Sequence, residues 1–112
     1  MGDVEIVIKK ELFDSIGVTV SEPNCCIHKE KDIWIEGNVS INENKLGGRT
    51  FSVSANLCDE DNGVLFDFRE YPLISFKEKS TDFFLLHCVD ITRFFDIDLL
   101  HHIEIYPRVA SK

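Results

Sequence analysis

The chain has 112 residues, 20 acidic against 12 basic, for a formal charge of -8. That length suits one domain spanning residues 1–112, and a folded chain of this size buries roughly 65% of its unfolded surface. The acidic excess argues against the basic footprint that neutralises phosphates, so nucleic-acid binding and attraction to anionic lipid are both disfavoured.

The dominant hydrophobic period is two, the mark of strands with one buried face. Val4, Ile6 and Ile8 are read as alternating with charged residues, and Ile16, Val18 and Val20 alternate with Gly17, Thr19 and Ser21. Ile33, Ile35, Val39 and Ile41 share a face, which turns Trp34, Glu36, Asn38 and Ser40 outward. The cleanest alternation sets Phe51, Val53, Ala55 and Leu57 against Ser52, Ser54 and Asn56, which predicts a solvated serine face. Val64, Phe66 and Phe68 follow after a turn, and Phe83 to Val89 reads as a strand apolar on both faces except at His87. Ile103 and Ile105 alternate with His102, Glu104 and Tyr106 in the last strand.

Pro23-Asn24, Lys29 to Asp32, Asn42 to Gly48 and Lys77 to Asp82 read as connections. Asp61-Asn62-Gly63 carries the strongest short hairpin signal, because Asn and Gly tolerate positive φ. Short helical turns are expected at Lys9 to Ser15 and at Asp90 to Asp96, the latter capped by Asp90. About seven strands at these spacings predict an all-β, antiparallel sandwich of immunoglobulin or fibronectin type, with a small closed barrel as the alternative.

No apolar run approaches the roughly 20 residues of a membrane-spanning helix, so membrane insertion is not expected. Met1 to Glu5 lacks the basic start of a secretory leader, so the sequence reads as cytoplasmic as written, or as exported or cell-surface if a native signal lies outside it. The four cysteines are expected to be free thiols, and Cys58 could pair with Cys88 only if their strands were neighbours.

The segment Gly37 to Gly63 resembles the FxLYD type of small bacterial β-sandwich domain. Gly37-Asn38-Val39-Ser40-Ile41-Asn42 matches the Gly-x-Val-x-Asn strand, and Ser52 to Asp59 stands where the namesake strand would be, followed by Asp61-Asn62-Gly63. Ala55 replaces the Phe of that pattern and Cys58 its Tyr. The resemblance implies a sandwich with an accessory role, usually in exported or surface proteins, and no catalytic residues.

Cys25-Cys26-x-His28 has zinc-ligand chemistry in one stretch, but adjacent strand cysteines splay apart. A second half-site would have to come from His101-His102 or His87-Cys88. Asp59 and Asp61, with Asp67, are the calcium candidates, although the spacing satisfies only half of an EF-hand loop. His87 reads as a hydrogen-bonded core or boundary residue, and it cannot form a dyad with Cys88 because neighbours on a strand face opposite ways. No nucleophile elbow, HExxH or phosphate loop is present, which argues against an enzyme and against a resident cofactor.

Trp34 is a candidate partner-binding anchor, although the favoured expectation is that the N-terminal strand or a loop covers it. Phe94 and Phe95, with Leu99 and Leu100, read as a plug for one end of the sandwich or as a second binding ridge. The expected function is therefore a non-enzymatic module that contacts another protein or self-associates. One version is an acidic inhibitor or immunity-like protein steered to a basic partner by its charge. The alternative is a metal- or ligand-binding sandwich using the acidic tip or the Cys/His groups.

Overall fold

The computed structural model describes residues 4–43, 45–47, 49–69 and 80–110. Seven strands run β1 (Glu5–Ile8), β2 (Val18–His28), β3 (Asp32–Ile41), β4 (Phe51–Cys58), β5 (Val64–Phe68), β6 (Ser80–Cys88) and β7 (His102–Val109). A five-residue helix, α1 (Lys10–Asp14), joins β1 to β2, and two 3₁₀ turns (Ile91–Arg93 and Ile97–Leu99) join β6 to β7. The strands form a four-stranded sheet in the order β1-β7-β4-β5 and a three-stranded sheet in the order β2-β3-β6. The two sheets are separate, so the arrangement is sandwich-like and is not the closed barrel.

The inward faces supply the core. Val18, Ile33, Ile35, Val39, Ile41 and Leu86 come from one sheet; Phe51, Val53, Ala55, Leu57, Ile103 and Ile105 come from the other. Burying each such aliphatic side chain is worth about 1.5–3 kcal/mol, which explains why alternation alone locates most of the strands. Phe13 anchors α1, a helix too short to persist on its own propensity. Ile91 and Ile97 seal the end near the 3₁₀ turns, and the Asp90 and Asp96 carboxylates accept from Thr92 N and Asp98 N. Gly37 is buried where the Phe84 ring crosses β3, and a Cβ there would stand 2.7 Å from the ring.

Four expectations change. Pro23-Asn24 does not separate strands but lies inside β2, where the register shifts between Ser21 and Asn24 and Glu22 takes φ 52°. β2 is an edge strand, which tolerates a proline because one side needs no ladder donor. Ser52 and Ser54 are buried, not solvated: β4 is flanked by β5 and β7, and the Ser54 side chain hydrogen-bonds Tyr106, its partner on β7. β6 is not buried on both faces; Phe84 and Leu86 point inward, whereas Phe83 and Leu85 are exposed. β1 runs parallel to β7 in the opposite sheet, so it does not cover Trp34.

The Asp59–Gly63 connection is a hairpin, as expected, but only Asn62 takes positive φ. Asn62 N donates to Asp59 O at 3.1 Å, and the left-handed Asn62 follows, with a register shift between Leu57 and Cys58. This is the three-residue turn-plus-bulge solution in place of a two-residue Asn-Gly turn. Of the expected connection Lys77 to Asp82, residues 77–79 lie outside the described residues, and Ser80–Asp82 belong to β6.

Candidate functional site

Strand alternation and register build two outer faces of different character. On the sheet β2-β3-β6, Trp34 is the cross-strand partner of His87, and their rings stack with centroids 3.7 Å apart and planes 21° from parallel. His87 Nε2 donates to Asp32 Oδ1 at 2.6 Å, which fixes the ring that supports the indole. His87 is thus a hydrogen-bonded boundary residue. Leu85 and Phe83 continue the stripe along β6 opposite Glu36 and Asn38. Trp34 is 37% exposed, Leu85 37% and Phe83 67%. Glu22, Glu36 and Asp82 rim shallow grooves beside Phe83, so an apolar stripe sits within an acidic border.

Among the described residues, β6 pairs only with β3, so the stripe ends at a sheet edge. The other edges of the two sheets are blunted: β1 has four residues, β5 has five and an irregular register, and β2 carries its bulge and Pro23. β6 has nine residues and pairs with β3 without a register shift. Unprotected edges of this kind present backbone donors and acceptors to another chain.

On the sheet β1-β7-β4-β5, Cys58 at the end of β4 faces His102 at the start of β7, and Glu104 follows two residues on, on the same face. One ligand atom from each of the three lies within 4.8 Å of the others. Cys58 Sγ is 3.7 Å from Glu104 Oε1, and Lys9 Nζ is 2.9 Å from Glu104 Oε2. Burial, reinforced by the Glu104 charge, pushes the Cys58 thiol up to about 11, whereas the hydrogen bond from Lys9 holds the Glu104 carboxyl below its ordinary range. His102 Nδ1 lies 3.0 Å from His101 Nδ1, so one ring donates to the other. Further along this face Tyr106 OH donates to Asp67 Oδ1 at 2.8 Å, and Arg69 Nε donates to Asp67 Oδ2 at 2.6 Å.

The structure does not bring the remaining candidates together. Cys25 is half-buried against the core, while Cys26 is exposed on the opposite side of β2 and His28 shares that exposed face. Burial pushes the Cys25 thiol up to about 11. All four cysteines are free thiols, and Cys58 and Cys88 lie in different sheets. Asp59 Oδ1 accepts from Asp61 N at 2.9 Å and Gly63 N at 2.8 Å, so this carboxylate shapes its own turn. Among the described residues, Asp59, Asp61 and Asp67 are not part of any converging group of three potential metal ligands.

Phe95 and Leu100 pack on the core, as a plug does, while Phe94 is exposed and touches the Phe66 ring of β5 at 4.8 Å. Sequence reasoning missed Phe83 and Leu85, which it placed in the core, and the convergence of Cys58 with Glu104. Only strand register could have signalled that second grouping.

No family model matches this chain, and neither the curated proteins nor the solved structures compared with it gave a match. Among the described residues no helix is long and apolar enough to cross a membrane.

Proposed function

We propose that this chain is a non-enzymatic interaction module that recognises another protein through the outer face of the sheet β2-β3-β6. The observation that carries this reading is the exposed apolar stripe of Trp34, Leu85 and Phe83 leading to β6, which among the described residues pairs only with β3. A large aromatic held in place by His87 loses little rotamer freedom on docking, which is the property of an interface anchor. The acidic border and the charge of -8 favour a partner that is basic around an apolar centre, as for an inhibitor or immunity-like protein.

Strand order supports placing the module with the immunoglobulin and fibronectin types. β2-β3-β6 follows the A-B-E order, and β5-β4-β7 follows C′-C-F. β1 stands beside β7 where the last strand of those folds belongs, but parallel to it. The resemblance to FxLYD-type domains over residues 37–63 agrees with an accessory role.

The test is affinity capture from the source lysate with the wild type, Trp34→Ala, Phe83→Ala and a control, Val64→Ala, which alters an exposed apolar position on β5. The two face variants should weaken a captured complex by about 2 kcal/mol or more each, with the control unchanged. Equal behaviour of all four proteins would contradict this surface.

A further inference from the structure

We propose that Cys58, His102 and Glu104 form a binding site for a zinc-class divalent ion on the outer face of the sheet β1-β7-β4-β5. Thiolate, imidazole and carboxylate are a zinc donor set, and three protein ligands with a fourth position left over is an established coordination pattern. The fold delivers them without loop flexibility. Cys58 and His102 are direct cross-strand partners, Glu104 is one pleat further along β7, and His101 N donates to Cys58 O at 2.8 Å, which ties the two strand ends together.

The ligand atoms, within 4.8 Å of one another, need only a small contraction to meet one ion. Cys58 is fully buried and His102 nearly so, whereas Glu104 is partly exposed, so an ion would enter from the Glu104 side. In the tautomer where His102 donates to His101, its Nε2 is left unprotonated, and an outer partner orienting a ligating imidazole is a common second layer of metal sites.

Without an ion the cluster is held by substitutes. The Cys58 thiol hydrogen-bonds to Glu104, and the Lys9 ammonium takes the other carboxylate oxygen. On binding, the ion replaces the thiol proton, which leaves to solvent, and competes with Lys9 for Glu104. The site is distinct from the proposed docking face and lies on the other sheet. It also differs from the Cys25-Cys26-His28 stretch, where Cys25 faces away from Cys26 and His28.

The test is Co²⁺ titration of the reduced protein, followed by thermal melts with Zn²⁺ and with chelator. One equivalent of Co²⁺ should produce a thiolate-to-cobalt charge-transfer band, and Zn²⁺ should raise the melting temperature reversibly. Cys58→Ser should abolish the band and Cys26→Ser should retain it. Glu104→Gln should weaken binding at least about tenfold, the scale seen when even an outer partner is lost. Lys9→Ala should tighten binding, and these two surface-side variants decide the matter if Cys58→Ser fails to fold. The inference is overturned by the absence of both band and stabilisation in the wild type. Loss of the band in Cys26→Ser, or Glu104→Gln and Lys9→Ala binding Co²⁺ like the wild type, would overturn it equally.

Discussion

Ser54 has no exposed surface although alternation turns it away from the core. Its cross-strand partner is Tyr106, and Ser52 beside it faces Arg108, so long side chains on β7 stand beside short ones on β4. A carboxylate at position 54 would be stripped of water beside Asp67 and Asn56. Ser54→Asp should therefore cost at least about 2 kcal/mol, the scale of burying an unsatisfied charge, whereas a solvated face would cost under about 0.5 kcal/mol. Denaturant unfolding of Ser54→Asp beside Val53→Asp checks this, and an unperturbed Ser54→Asp would refute the packing. Alternation reports which way a side chain points; it does not report what stands over it. For the same reason Trp34 was legible as an outward residue, while the meeting of Cys58 with His102 and Glu104 required the register of two strands 44 residues apart at their paired ends.

At the scale of elements, strands were readable wherever one face is continuously apolar, and connections were readable wherever they use turn-forming residues. The β2–β3 hairpin was readable as the charged cluster Lys29 to Asp32, although it uses no turn-forming residue. It turns through Lys29 and Glu30, both left-handed at φ 54° and 59°, with Lys31 N donating to His28 O at 3.2 Å. Neither residue favours that region, which costs an L-residue roughly 1–2 kcal/mol. Lys29→Asn combined with Glu30→Gly should thus stabilise the protein by about 1 kcal/mol, seen as a higher melting temperature. A lower melting temperature would mean that the Lys and Glu side chains make compensating contacts. β2 was misread as two pieces because Pro23 looks like a terminator, and only its place at a sheet edge makes it compatible with a continuing strand. β6 was misread as doubly buried because a run such as Phe83-Phe84-Leu85-Leu86 is apolar whichever way it faces; the exposure of Phe83 and Leu85 is what the sequence pattern conceals and what the docking face requires.

Across the whole molecule, two outer faces are kept apart by the core between the sheets. One is polar and holds a thiol, an imidazole and a carboxylate in register; the other carries an apolar stripe along β3 and β6 bordered by acid. The net charge of -8 opposes indiscriminate association of like molecules, which allows an exposed stripe to persist where a neutral protein would aggregate. Recognition through that stripe is the central claim, and the chain carries its own reporter, because its single tryptophan is Trp34. The most direct measurement is acrylamide quenching of Trp34 fluorescence as a captured partner is titrated to saturation. Quenching should fall as Trp34 is covered, in step with complex formation. A complex that forms while Trp34 stays as accessible as in the free protein would contradict the account.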